Sequence, residues 1–335
     1  MTRFIKYCGV FLLPFFVIIC LYFIFDPFKV LKHYDNYFSE TGGSVNRGFV
    51  STMNYLNKKD IYHYDSFIFG NSRSLYYMID DWKQYIPKES SCYHFSEFGG
   101  SIQGIVFKLR LIDKSQEKIN NALIIIDHEV LNKIHRDGAI FTLPPALTNN
   151  SNWFQFHTEQ LSQWLNPLFL KNWFYLKLHG KFEKSMKGYI EDGSNYRYYN
   201  PIINEGPRHI EDSLISKGVY YTDSVIAVFH GKQRPQTYKV LLNNDEKRSL
   251  LEEMRDILVK HHTNYKIIIS PLYDQKKLNP QDLAYLKEVF GKNNVFDFSG
   301  VNEYTSDYHN YYENSHYLPS VARDIMSKVY NQQAQ

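Results

Sequence analysis

The sequence predicts an α/β protein: a three-layer, doubly wound and mostly parallel sheet with a helical and irregular insertion, carried behind an N-terminal transmembrane helix. Three observations predict it. Short apolar runs alternate with amphipathic stretches along most of the chain, as in folds that wind helices over both faces of a parallel sheet. One long uncharged run stands near the N-terminus. From about 139 to 243 the alternation stops, and then it resumes.

Taken in order, the first element is the run "YCGVFLLPFFVIICLYFIF" between Lys6 and Asp26, nineteen residues without charge. As a helix it spans roughly 28 Å, close to the hydrocarbon thickness of a bilayer. Arg3 and Lys6 precede it, which favours a cytoplasmic N-terminus, although Lys29 and Lys32 follow on the other side. A cleaved signal peptide is the rival reading, but no small-x-small site follows the run, and Ile19 before Cys20 is unlike a lipoprotein site. A buried core helix would carry a polar face, which is absent here. The expectation is therefore an anchor over 1–26, a juxtamembrane stalk with a short helix over 27–60, and the α/β domain over 61–335.

Five runs are strand candidates: "SFIFG" (66–70), "CYHFS" (92–96), "ALIIID" (122–127), "YKIIIS" (265–270) and "NVFDFS" (294–299). Between them lie helical patterns. The clearest is 244–262, where Leu250, Leu251, Met254, Ile257 and Leu258 share one face. "IQGIVFKLRLIDK", "PQDLAYLKEVF" and "PSVARDIMSKVY" are three more. The insertion holds Trp153, Trp164 and Trp173 and a loop rich in Asn, Tyr, Gly and Pro, and is expected to act as a lid or to shape a groove.

Composition narrows the function classes. A formal net charge of +3 over 335 residues, without runs of like charge, does not suggest nucleic-acid binding. Of three cysteines, Cys8 and Cys20 belong to the apolar run and Cys92 stands alone, so neither a disulfide framework nor a cysteine zinc site is expected. No phosphate-binding glycine loop occurs, and no cofactor is expected.

Chemistry concentrates where ligands bind in such sheets, at the carboxyl ends of the strands. After "SFIFG" comes Asn71-Ser72-Arg73-Ser74. Ser72 then sits at a strand-to-helix turn, its hydroxyl toward the rim and its N–H at a helix start. The bland alternative makes Ser72 or Ser74 the cap of a helix beginning near Leu75. Near the C-terminus, Glu313 precedes His316 by three, close enough for the carboxylate to orient the imidazole. The bland alternative is a histidine that packs locally. The pair Gly99-Gly100, straight after the second strand, lets backbone N–H groups approach a ligand oxygen.

Together these pieces resemble the SGNH (GDSL-like) hydrolase and acyltransferase superfamily, over roughly 62–130 and 262–330. Gly70-Asn71-Ser72 stands where that family has Gly-Asp-Ser, Gly99 matches an oxyanion glycine, and Glu313-x-x-His316 matches Asp-x-x-His. The ending "SHYLPSVARDIM" looks like that of membrane-anchored envelope members, such as the D-alanyl-transfer protein of teichoic acid synthesis and periplasmic polysaccharide acetyltransferases. The resemblance implies an SGNH/flavodoxin-like fold, with Ser72 as nucleophile, His316 as base, Glu313 as its orienting carboxylate, and an oxyanion hole from Ser72, Gly99 and Gly100. It implies an envelope-facing serine esterase or O-acyltransferase acting on a cell-surface glycan or its carrier. Such a protein would be single-pass in a bacterial cytoplasmic membrane, its C-terminal domain periplasmic, with a membrane-bound acyltransferase as a possible partner.

Beside Asn71, which stands where the family has Asp, two departures from the family pattern matter. Glu replaces Asp at 313, and "HEV" follows "LIIID" where the family has an oxyanion-donating Asn. These departures carry the alternative, a non-catalytic accessory protein of the same fold that binds a glycan or a membrane acyltransferase. Substrate contacts are expected from Arg73, Asp127 and His128. An ion-pair role for Arg73 is the alternative, and the alternating side chains of 127–129 disfavour a metal site. His261-His262 suits the negative end of a helix dipole.

Overall fold

Parallel strands buried on both faces need nearly continuous apolar sequence, and the predicted runs have it. The computed structural model describes residues 2–38, 41–229 and 236–331, without the side chains of residues 2, 3, 5 and 8. Its elements follow the chain as α1 (Thr2–Phe25), α2 (Arg47–Tyr62), β1 (Ser66–Gly70), β2 (Cys92–Ser96), α3 (Ile102–Lys114) and β3 (Asn121–Ile126). Next come α4 (Trp153–Trp164), α5 (Pro167–His179), α6 (Asp245–Lys260), β4 (Asn264–Ile269), α7 (Pro280–Phe290), β5 (Val295–Asp297) and α8 (Pro319–Asn331). Shorter helices and turns join them.

The five strands form one parallel sheet in the order β2-β1-β3-β4-β5, with Gly70 level with Ser96 on one side and Ile125 on the other. Side chains alternate across it. Phe67 and Phe69 point into a core closed by α2, α3, α6 and α7, while Ile68 points into a second core closed by α8 and the C-terminal loops. Helices therefore cover both faces, and the protein is α/β around a five-stranded parallel sheet. The order reverses between β1 and β3, so the carboxyl ends of those strands flank a crevice.

Some boundaries differ from the sequence reading. The third strand ends at Ile126, and Asp127 leaves the sheet to cap the short helix His128–Asn132 with its carboxylate. The last strand is only Val295–Asp297, because Phe298 and Ser299 turn into a loop pinned by Asp297, which accepts from the Ser299 N–H. The region read as a stalk is built into the domain instead. Val50 and Tyr55 of α2 are buried, Tyr55 against Tyr93 and Phe95 of β2, and Phe28, Tyr37 and Phe38 are buried as well.

Helix α1 exposes a run of large apolar side chains, including Phe11, Leu12, Leu13 and Phe16. Its last turns dock on the insertion: Tyr22 is buried beside Trp164, whose indole N–H donates to the Ile18 carbonyl at 2.9 Å. Among the described residues no helix is long and apolar enough to cross a membrane. The predicted flanking Arg3 and the side chain of Cys8 lie outside the described side chains.

Candidate active site

Gly70 closes β1 where the chain crosses β3: a Cβ there would meet the Ile125 carbonyl oxygen and the Ser74 Cβ at 2.8 Å. The tight approach turns the backbone at Asn71, which is extended (φ −81°, ψ −162°) and caps the following 3-10 turn Ser72–Tyr76 by accepting from the Arg73 N–H at 3.0 Å. The cap is thus Asn71, and neither predicted serine fills that place. Freed of capping, Ser72 is half-buried at the rim, with Oγ 2.8 Å from His316 Nε2. Its own N–H, first in the turn, donates to no carbonyl among the described residues.

His316 and Glu313 face each other across a small antiparallel hairpin, Tyr311–Glu313 with His316–Tyr317. Glu313 Oε1 hydrogen-bonds His316 Nδ1, and its Oε2 accepts from the Ser315 N–H at 3.0 Å and the Ser315 hydroxyl at 3.1 Å. Burial pushes the Glu313 carboxyl up, but the His316 hydrogen bond and charge, the Ser315 N–H and the nearby Arg208 outweigh it and hold it at about 2. The ionised Glu313 accepts a hydrogen bond from His316 Nδ1–H, leaving Nε2 to accept from Ser72. The three residues, 244 positions apart at their extremes, form one hydrogen-bonded chain.

Arg73 and Asp127 play a different part from the substrate contact expected of them. Arg73 is 4% exposed: Nη1 donates to Asp127 at 2.9 Å and Glu129 at 3.3 Å, and Nε donates to the Ser315 carbonyl at 3.0 Å. Asp127, 1% exposed, also accepts from the Asn71 amide at 2.7 Å and from the N–H groups of Glu129 and Val130. Burial would raise the Asp127 carboxyl, but the Arg73 charge and the Asn71 amide hold it below its ordinary value. One guanidinium therefore ties the Ser72 turn to the end of β3 and to the His316 hairpin. Neither side chain has surface left for substrate. His128 stacks on Tyr238 at 4.2 Å between ring centres, with its Nδ1 buried and unpartnered among the described residues.

The glycine pair is explained first by packing. Gly99 has φ +54°, and a Cβ on it would run into the Arg136 guanidinium, which donates to the Gly99 carbonyl at 3.2 Å. A Cβ on Gly100 would lie 2.6 Å from Glu97 Oε1. Glu97 itself is buried and pairs with the fully buried Lys108 at 2.7 Å. Neither glycine hydrogen-bonds Ser72 or His316, although their loop leaves β2 beside the Ser72 turn.

Sequence reasoning missed a second chain behind the first. The Ser74 hydroxyl donates to the Asn71 carbonyl at 2.8 Å and meets His94 Nε2 at 2.9 Å, while His94 Nδ1 meets Glu205 at 2.9 Å. Glu205, from the insertion, also accepts from the Ile79 N–H. The only signal was His94, a polar residue in the otherwise apolar run "CYHFS". Among the described residues no group of three or more His, Cys, Asp or Glu is arranged to hold a metal ion. His261 follows α6 and pairs with Asp113 at 2.7 Å, away from the serine.

No known protein family and no characterised protein matches this chain.

Proposed function

We propose that the protein is an envelope-facing serine esterase or O-acyltransferase of the SGNH (GDSL-like) type, acting on a cell-surface glycan or its carrier. The observation that carries this reading is the continuous line from Ser72 Oγ through His316 to an ionised Glu313, with Ser72 open at the rim. The strand order β2-β1-β3-β4-β5 supports the flavodoxin-like layout of that family.

Ser72 Oγ attacks an ester carbonyl while its proton passes to His316 Nε2. Glu313 stabilises the imidazolium, and the N–H groups of Ser72, Gly99 and Gly100 take the oxyanion. The ester C–O bond then breaks, the His316 proton goes to the departing oxygen, and an acyl-Ser72 remains. A hydroxyl of water or of a sugar gives its proton to His316 and attacks the acyl carbon; the bond from that carbon to Ser72 Oγ then breaks, and His316 returns the proton to Oγ.

Membrane attachment belongs to the same reading. Besides the exposed apolar side chains of α1, Phe154, Leu168, Tyr175 and Leu178 of the insertion helices are exposed. Exposed apolar surface of this extent, with Trp153 and Tyr175 among it, suits contact with a bilayer and its interface, α1 being the anchor. On the envelope-facing reading the α/β domain lies on the periplasmic side.

The test is labelling of the full-length protein with a fluorophosphonate. Ser72 is expected to carry the adduct, and Ser72→Ala to abolish both labelling and hydrolysis of a nitrophenyl ester. If no serine reacts and esterase activity survives Ser72→Ala, the catalytic reading fails, and a binding role for the same fold takes its place.

A further inference from the structure

Beside the serine lies a cavity of about 510 Å³ that the acyl-transfer chain leaves unused. Its volume falls in the range of small-molecule sites. Tyr76 forms the shared wall: it lines the cavity, and its ring centre lies 5.8 Å from that of His316.

The lining is aromatic and cationic. Tyr76, Tyr196 and Tyr312 contribute rings, while Arg47, Lys187, Arg208 and Arg323 contribute positive charge against Glu211 and Asp212. Asp212 is engaged by the Tyr312 hydroxyl, and Arg323 pairs with Asp81 at 3.4 Å. Arg208 lies over Tyr312 and Tyr76, its centre 4.9 and 5.6 Å from theirs.

Arg47 is the residue that asks for a ligand. It is 7% exposed and has no carboxylate within ion-pair distance among the described residues. Four rings surround its guanidinium, from Phe38 at 4.2 Å to Tyr199 at 6.0 Å. Ring faces offset part of the burial cost of a charge but accept few hydrogen bonds. Nε and Nη1 of Arg47 are left without partners, and so is the hydroxyl of Tyr76, 3% exposed. Three donor atoms unmatched among the described residues, carried by two residues that line one cavity, fit an acceptor-rich anion, which a guanidinium binds through paired N–H groups.

We propose that this cavity is the glycan subsite of the enzyme and takes a sugar unit bearing a carboxylate or phosphate, with the anion on Arg47 and Arg208 and the ring against the tyrosines. Its place beside the reacting serine rests on the serine-esterase reading; the binding itself does not.

The experiment is titration of the full-length protein in detergent micelles with glucuronate, glucose 1-phosphate and glucose, followed by ligand-observed NMR. At least one charged sugar should bind, with glucose weaker by about tenfold or more, and whichever charged sugar binds identifies the anion. Arg208→Gln, at the half-exposed rim, and Arg47→Met should each weaken that binding by about tenfold, while Ser72→Ala leaves it unchanged. Equal affinity for glucose, absence of binding by both charged sugars, or unaltered affinity in a folded Arg208→Gln overturns the proposal. Ser72 that labels with fluorophosphonate while no charged sugar binds sinks the subsite alone; charged-sugar binding without labelling sinks the esterase alone.

Discussion

Asp127→Ala tests whether the site is held by one buried ion pair. The carboxylate accepts four hydrogen bonds, from Asn71, Arg73, Glu129 and Val130, at 2.7 to 3.1 Å. Its removal leaves the Arg73 guanidinium, 4% exposed, with the longer 3.3 Å contact to Glu129 as its one charge partner among the described residues, beside the neutral Ser315 carbonyl. Removing one partner of a buried pair costs about 3–5 kcal/mol, so about 4 kcal/mol is expected, a large share of the ~5–15 kcal/mol that holds a domain. With a urea slope of about 3 kcal/mol/M, the unfolding midpoint should fall by roughly 1.3 M. Asp127→Asn keeps the shape and an acceptor and should lose about half as much. The double change Asp127→Leu with Arg73→Met removes both charges and should recover most of the stability. It should not recover kcat, because the Arg73 bond to the Ser315 carbonyl that fixes the His316 hairpin is gone. A midpoint shift under about 0.3 M for Asp127→Ala would refute the reasoning, since about 1 kcal/mol is what a surface pair provides.

Further outcomes follow from other contacts. Glu313→Gln should lower kcat roughly 10³–10⁴-fold with little change in KM, because the amide no longer holds the imidazole in the required tautomer; a loss spread equally over kcat and KM would contradict that role. Glu313 is depressed from 4.5 to about 2, so its contribution to stability is complete above pH 4.5 and disappears as pH falls toward 2. Acid unfolding of Glu313→Gln should be correspondingly flatter in that window. Gly100→Ala places a methyl 2.6 Å from Glu97 Oε1 and should cost about 1–3 kcal/mol in thermal or urea unfolding. Leu178→Glu, on a side chain 79% exposed, should weaken association of the protein with lipid vesicles and leave fluorophosphonate labelling intact; unchanged flotation would argue that α5 faces water.

The sheet was legible because its strands are buried on both faces and so spell themselves as apolar runs. The amphipathic helices were legible through their period, and Ile102–Lys114 and Pro280–Phe290 fall where that period places them. Ser72, Glu313 and His316 were legible as residues at strand ends, and the chain brings them together. What sequence could not convey was the direction of side chains with more than one option. Asn71 was a neighbour of the serine on paper; in the fold it caps the turn and donates to Asp127. Arg73 and Asp127 stood at the correct rim for substrate, but their mutual attraction over a span of 54 residues turned both inward. The segment before α2 gave no sign of burial, because the partners of its Phe38, Tyr196 and Tyr199, lie about 160 positions away in the insertion.

Two Ser–His–Glu chains lie side by side in this protein, and only proton direction and access separate them. The Ser74 hydroxyl has one proton, and a carbonyl can only accept, so that proton is committed to Asn71. His94 Nε2 must then donate to Ser74, and the one remaining proton is shared between His94 Nδ1 and Glu205, whose carboxyl burial raises above its ordinary value. In that state Ser74 has no base to take its proton. It is also fully buried, as is His94. In the outer chain the arrow between histidine and serine is reversed: Glu313 is held ionised, His316 Nδ1 donates to it, and Nε2 is free to accept from a half-exposed Ser72. On the serine-esterase reading, the inner chain positions and the outer one reacts. Peptide mapping of the fluorophosphonate adduct should find Ser72 and never Ser74, and Glu205→Gln should loosen the turn, lowering stability, while the adduct stays on Ser72. An adduct on Ser74 would mean that the inner chain opens to solvent and that its proton order is not the one its hydrogen bonds require.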